Sequence, residues 1–324
     1  MKTIVVTGGA GAIGSNLIAK LLSHKNKYRV ICVDNLNDFY DLKFKLFNIR
    51  LFRKNQNFVF RKVDIRDLVA MKRVFKKEKP EYIIHLAAKA NTRLAVDEAH
   101  DYRSNNIDGT INMLELAREY RIKNFVFASS SSVYGNKNKI PFNEDDHTDY
   151  PLSPYGVTKK TGELLAYTYH HNFGLNITCL RFFTVYGENN RPDMVMYQWA
   201  DNILNDRPIK ISSNGQRKRD YTYVGDIVDG IIRALNKPLG YEVINLGNSS
   251  PVSLKELLAI FEKVSDKKAT VVSRPSHNAS VENTYADISK AKKILNWQPK
   301  INIEQGVTRL VKWFRDERLK KIVK

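Results

Sequence analysis

The chain opens with a short apolar run, Ile4, Val5 and Val6, then glycines at 8, 11 and 14, with Ile13, Leu17, Ile18, Leu21 and Leu22 recurring at helical spacing. This order predicts a strand, a tight turn and a helix. A second strand, Arg29 to Val33, ends in Asp34. The alternation continues through FVFRKVD (58–64), a helix from about 67, EYIIHLAA (81–88) and a long helix over roughly 97–120. NFVFASS (124–130), a helix over about 153–172 and ITCLRF (177–182) extend it. Apolar strands with helical crossovers predict an α/β fold with a doubly wound parallel sheet, covered on both faces. Beyond Arg181 the alternation stops, except for one more sheet strand, EVINLG (242–247). Segments 183–221 and 249–324 mix loops, short strands and helices such as 253–264 and 303–318. The expected organisation is a dinucleotide-binding domain from 1–182 and 222–248, and a smaller substrate lobe from 183–221 and 249–324. Open α/β sheets bind ligands at the C-terminal ends of their strands, so the lobe is expected there.

Gly8, Gly11 and Gly14 have a mechanical role in the first turn. A pyrophosphate reaches the N–H groups of a helix N-terminus only where no Cβ intervenes. Asp34 lies where a carboxylate accepts hydrogen bonds from an adenosine ribose, and its charge repels a 2′-phosphate. The complete arrangement points to NAD rather than NADP.

A chain of 324 residues with 43% apolar content can bury a sizeable core. It has no run of about 18 apolar residues to span a membrane, and Met1-Lys2 leads directly into a strand without room for a signal peptide. The expected location is the cytoplasm. Cys32 and Cys179 each fall inside an apolar strand and read as core thiols rather than metal ligands or a disulfide. The net charge of +19 raises nucleic-acid binding as a question, but Lys and Arg are spread over many segments without an RNA-binding motif. A solvated basic surface that attracts an anionic sugar nucleotide is the better reading.

Of the sixteen tyrosines, only Tyr155 has a lysine four residues on, Lys159, in a helix opened by Ser153 and Pro154. Their spacing puts both on one helix face. An ammonium near a phenol lowers the phenol's pKa towards the working range of a general base. The serine-rich strand end, Ser129 to Ser132, supplies hydroxyls to orient a substrate alcohol. His85, His170 and His171 lack a carboxylate or thiol at ligand spacing, so no metal site is expected. Trp297, Trp313 and Phe314 are expected to pack the C-terminal lobe.

TGGAGAIG, HLAA (85–88), SSSSVYG (129–135), YGVTK (155–159) and RDYTYVGDIV (219–228) together resemble the extended short-chain dehydrogenase/reductase family. The resemblance covers nearly the whole chain. It implies a Rossmann domain with NAD, a Ser/Tyr/Lys site and a nucleotide-sugar substrate. By it Ser130 is the catalytic hydroxyl, Tyr155 the base, and Lys159 also a ligand of the nicotinamide ribose. The resemblance further implies cofactor contacts from Ala12, Ile13, Asn35, Asp64, Ile65, Ala87, Ala88 and Lys89. It assigns Arg93, Ser131, Ser132, Thr184, Arg191, Arg219 and Arg274 to the substrate. Helices 97–120 and 153–172 resemble the pair that forms the family's dimer interface, so a homodimer is expected.

Within the family, DNLNDFYD (34–41), KKTGELLAYTY (159–169) and RFFTVYGENNRPDM (181–194) are most similar to UDP-glucuronate 4-epimerases. Ala12 and Asn16 replace the usual Phe and His, which is expected to alter packing only. RPSHNASVENTYAD (274–287) lacks the Gly-Asp of the familiar R-x-G-D stretch, which leaves the part played by Arg274 open. Ser131-Ser132 stand where related dehydratases carry an Asp-Glu pair and decarboxylases a Glu, so proton-shuttling carboxylates are absent. Thr284 leaves room for an N-acetyl group. The expected activity is interconversion of UDP-glucuronate and UDP-galacturonate through a 4-keto sugar. The alternatives are a UDP-glucose or UDP-N-acetylglucosamine 4-epimerase and, from another class, a non-catalytic basic binding protein.

Overall fold

The computed structural model describes residues 1–136, 139–212, 215–275 and 281–316. Six strands are β1 (Lys2–Thr7), β2 (Tyr28–Asp34), β3 (Phe58–Lys62), β4 (Tyr82–His85), β5 (Asn124–Ser130) and β6 (Ile177–Phe182). With Tyr241–Leu246 they form a seven-stranded parallel sheet, ordered Tyr241–Leu246, β6, β5, β4, β1, β2, β3. The chain runs outward from β1 to β3 and returns to β4 on the other side of β1. Thr7, at the end of β1, is in register with both Val33 and His85. The strand order reverses there, and the crevice for a ligand opens beyond it.

Alternate strand positions feed two cores. Ile4, Val6, Cys32, Ile84, Val126 and Leu180 pack under Leu17, Ile18 and Ile231 on one face. Val5, Ile31, Ile83, Phe125 and Ile177 meet Phe75, Met113 and Leu114 on the other. Burying each such side chain contributes about 1.5–3 kcal/mol, which makes the sheet a rigid platform. Cys32 and Cys179 are buried free thiols. No helix among the described residues is long and apolar enough to cross a membrane.

Three elements differ from the sequence expectation. EYIIHLAA pairs only over Tyr82–His85, and Leu86, Ala87 and Ala88 leave the sheet to line the cleft. FVFRKVD likewise pairs over Phe58–Lys62. The helix expected over 97–120 is broken into Leu94–Asp97, Ala99–Arg103, a π-turn at Ser104–Asp108 and Gly109–Glu119. Within the π-turn, the Asn106 amide donates to the Lys89 carbonyl and to Thr158 Oγ1, both at 3.0 Å, which ties the helix to the site.

A third core joins helices Val195–Leu204, Leu254–Ser265 and Ile303–Arg315 through Trp199, Phe261, Leu310 and Trp313. Trp297 does not belong to it. Its ring lies in the sheet core beside Ile231 and Leu295, and its Nε1 donates to the Asp226 carbonyl at 2.9 Å. An indole so enclosed needs a partner for its N–H, and a helix carbonyl supplies one. Residues 276–280, within the RPSHNASVENTYAD stretch, lie outside the described residues, as do 317 and 318 at the end of the expected last helix.

Candidate active site

A cleft of about 630 Å³ runs across the C-terminal ends of the strands. At one end, β1 turns into helix α1 (Ala12–Ser23). A Cβ on Gly14 would lie 2.4 Å from the Gly8 carbonyl oxygen, so only glycine lets the turn close. Gly11 is the N-cap and has no side chain to cap the helix, leaving first-turn N–H groups beside the cleft. Ala12, Ile13, Ile65, Ala87 and Ala88 line the same wall. Asp34, 8% exposed, accepts from the N–H groups of Ala10 at 3.1 Å and Leu36 at 2.9 Å. Burial raises its pKa, while the Lys45 ammonium and these two bonds pull it back. Each carboxylate oxygen keeps a second lone pair for a ribose hydroxyl. The uncapped helix end and the buried acid fit a dinucleotide.

Two residues expected at the cofactor have partners within the protein. The Asp64 carboxylate pairs with Arg66 at 2.8 Å and accepts at 2.9 Å from Nδ2 of Asn35, which lines the cleft. The Lys89 ammonium pairs with Asp101 and, at 3.2 Å, with Glu98.

In the middle of the cleft, β5 delivers Ser130, and Ser131 and Ser132 follow in a short turn. Ser153 caps helix Pro154–Phe173, its hydroxyl accepting from Gly156 N, which places Tyr155 and Lys159 one turn apart on the cleft side. A Cβ on Gly156 would meet the Ser132 carbonyl at 2.7 Å, so this glycine lets the helix start against the serine turn. Lys159, 4% exposed, donates to the Ala128 carbonyl at 2.7 Å and lies 5.9 Å from the Tyr155 ring centre. Burial brings its pKa down to about 8, with Cys179 and Glu163 acting in the opposite direction. The Tyr155 phenol is raised above its ordinary value because burial outweighs help from Ser130 and Arg191. The direction is opposite to the lowering expected from a neighbouring ammonium.

Behind the serines, Glu163 accepts from Ser129 Oγ at 2.6 Å and forms a two-pronged pair with Arg181, both contacts at 2.8 Å. His85 is held between Thr7 Oγ1 and Thr110 Oγ1, and burial pushes it down to about 3, so it stays neutral. Among the described residues no group of side chains could hold a metal.

Thr184, Arg191, Arg93, Arg219 and Arg274 line the remainder. Arg191 lies 5.2 Å over the Phe39 ring and donates two bonds to Asp193, at 2.9 and 2.7 Å. Arg219 donates to the carbonyls of Lys218, Val281 and Glu282. Burial and the charges of Arg274 and Arg217 lower the pKa of Arg93, the mark of a crowded cationic end. Thr284 Oγ1 accepts from Asp220 N at 3.0 Å.

Sequence reasoning passed over Arg217, Asn190, Tyr40 and Lys45, all on the cleft wall. Arg217 sat within a basic stretch read only as surface, and the buried Lys45 was masked by the charge of its helix, Leu42–Arg50. Asn16 does more than packing. Its Nδ2 donates to the carbonyls of Ala12 and Glu188, both at 2.9 Å, joining α1 to the loop that carries Arg191.

Comparison with known proteins extends these observations. Residues 4–247 match the NAD dependent epimerase/dehydratase family. The chain is 45% identical to UDP-glucuronate 4-epimerase of Thermodesulfobacterium geofontis, covering 98% of this chain and 97% of that one. The fold is similar to UDP-glucuronic acid 4-epimerase of Bacillus cereus in complex with UDP-glucuronic acid and NAD, with a TM-score of 0.90 at 35% identity over 97% and 99% of the two chains. It is similar also to UDP-glucose 4-epimerase of Thermotoga maritima with UDP-glucose, with a TM-score of 0.89 at 33% identity over 97% and 98%.

Proposed function

The chain belongs to the NAD dependent epimerase/dehydratase family, and from that premise we propose that it is a NAD-dependent UDP-sugar 4-epimerase interconverting UDP-glucuronate and UDP-galacturonate. The observation that carries this reading is the placing of Ser130, Tyr155 and Lys159 in one cleft with the uncapped end of α1 and Asp34. The turn after Ser130 offers hydroxyls, not carboxylates.

Tyr155 takes the proton from the sugar O4, which Ser130 orients. Lys159, as a cation, favours the phenolate form of Tyr155 that accepts this proton, and reaches the nicotinamide ribose. Gly8, Gly11, Gly14, Ala12 and Ile13 hold the pyrophosphate, and Asp34 the adenosine ribose. NAD held there would supply a reversible acceptor for the C4 hydride, whose return to the opposite face of the sugar inverts C4. Oxidation at C4 turns a uronate into a β-keto acid, which loses CO2 when the bond to its carboxylate aligns with the carbonyl π-system. Directional donors prevent that alignment, and in this reading Thr184, Ser131, Ser132 and Arg191, all on the cleft wall, supply them. Arg93, Arg217, Arg219 and Arg274 attract the diphosphate.

Val157, Leu164 and Tyr167, each about half exposed on helix Pro154–Phe173, support packing against a second copy. The buried free thiols suit a cytoplasmic setting. The test is to offer purified protein UDP-glucuronate, UDP-glucose and UDP-N-acetylglucosamine without added reductant. Conversion of UDP-glucuronate to UDP-galacturonate is expected. Turnover of the neutral sugars alone, for which the small Thr284 leaves space, would replace this reading with the second one.

A further inference from the structure

Arg191 shares the cleft wall with its own counter-ion, Asp193. Its Nε donates to Oδ1 at 2.9 Å and its Nη2 to Oδ2 at 2.7 Å, so one edge of the guanidinium is taken. The Phe39 ring covers a face, 5.2 Å away. Nη1 donates to no described residue, yet it is not shut away from solvent, and the side chain keeps 16% exposure.

Asp193 is itself held. Its Oδ2 also accepts from Asn91 Nδ2 at 3.2 Å. The Asn91 amide cannot turn over without loss, because its Oδ1 accepts from the N–H groups of Arg93 at 3.0 Å and Leu94 at 3.2 Å. The Asn91 backbone is tied to the Tyr102 hydroxyl through its N–H at 3.1 Å and its carbonyl at 2.9 Å. Tyr102 is buried, and its ring meets that of Tyr155 edge-on at 6.4 Å. A continuous set of contacts thus runs from Tyr155 through Tyr102, Asn91 and Asp193 to Arg191.

An acid on this wall does not serve affinity for an anionic ligand, since a second carboxylate beside Arg191 weakens its pull on a hexuronate. What it supplies is direction. A free arginine side chain follows a carboxylate through its rotamers, whereas one held along an edge and a face offers only the N–H groups that remain. We propose that Asp193 is a positioning residue, which fixes Arg191 so that the hexuronate carboxylate is held out of line with the C4 carbonyl and epimerisation prevails over decarboxylation. The inference rests on the epimerase reading and names a residue that protects its 4-keto sugar. In the side reaction the C5–C6 bond breaks, its electron pair enters the C4 carbonyl to give an enolate, CO2 leaves and a solvent proton adds at C5. Return of the hydride to C4 then yields a UDP-pentose, with no net oxidation.

The test compares wild type, Asp193→Ala and Asp193→Asn as full-length, NAD-loaded proteins incubated with UDP-glucuronate. Chromatography separates UDP-galacturonate from UDP-pentose, and calorimetry measures binding of UDP-glucuronate and of UDP. The Asp193 side chain is 32% exposed, so its replacement is expected to leave the fold intact. In Asp193→Ala the share of pentose should rise about ten- to a hundred-fold, the scale on which a displaced positioning group acts. UDP-glucuronate should bind within about three-fold of wild type or more tightly, with UDP unchanged. Asp193→Asn, which keeps one acceptor for the guanidinium, should fall between. A pentose share in folded Asp193→Ala and Asp193→Asn no higher than in wild type overturns the proposal. So does a loss of UDP-glucuronate affinity beyond about ten-fold, which is more than a part-exposed pair yields and marks a general brace of the loop. Wild type that leaves UDP-glucuronate unconverted overturns the epimerase reading and this proposal with it, whereas conversion by wild type without leakage in the variants overturns the proposal alone.

Discussion

Replacing Glu163 with Gln removes one charge from a buried pair and strands the other. Arg181 and Glu163 are 3% and 2% exposed, and their two contacts are both 2.8 Å. Breaking such a pair costs about 3–5 kcal/mol, because the remaining charge is desolvated without compensation. Arg181 keeps bonds to Tyr134 Oη at 2.9 Å and the Glu144 carbonyl at 3.2 Å, which places the loss near the lower end, about 3 kcal/mol. Chemical unfolding of the cofactor-free protein measures it. The same substitution removes a charge that helps hold the proton on Lys159, whose pKa is about 8. Lysine must be protonated to stabilise phenolate, so activity falls as pH rises through that value. In Glu163→Gln this alkaline fall should move to lower pH. Adding Arg181→Met, which removes the stranded charge, should recover much of the lost stability. A change below about 0.5 kcal/mol, with the alkaline fall unmoved, would refute the coupling.

Tyr155→Phe should retain the fold and NAD binding, because it deletes one oxygen at the cleft wall, while turnover falls roughly 10²–10⁴-fold; near-normal turnover would exclude it as the base. Arg191→Ala should lose most uronate epimerisation or release pentose product, measured by chromatography of the UDP-sugars, whereas an unchanged profile would limit Arg191 to bracing Asp193. Asp220 accepts from the N–H groups of Asn248, Ser249 and Ala286 at 2.6, 3.0 and 3.0 Å. Asp220→Ala leaves one buried and two half-buried donors without this acceptor, so thermal unfolding should show a loss of about 1–3 kcal/mol.

The sheet was legible because buried parallel strands read as apolar runs: NFVFASS and ITCLRF match β5 and β6 residue for residue. The glycine turn, Asp34 and the Tyr155–Lys159 spacing were legible because local geometry brings them together. What escaped was set by contacts distant in sequence. Nothing near Lys89 announces that Glu98 and Asp101 engage its ammonium, and nothing near Trp297 announces the Asp226 carbonyl. Asn190 was hidden for the same reason, since an isolated Asn in a loop looks solvated, whereas this one is buried beside the cleft. The phenol's raised pKa also follows from enclosure, which helix spacing does not report.

The account stands most directly on the fate of the C4 hydrogen. UDP-glucuronate carrying deuterium at C4 is incubated with the NAD-loaded protein, without reductant, and the products are read by NMR and mass spectrometry. UDP-galacturonate that keeps its deuterium at C4, with no pentose, is the predicted result. Loss of the label to solvent, or no conversion of UDP-glucuronate while a neutral UDP-sugar turns over, would contradict it.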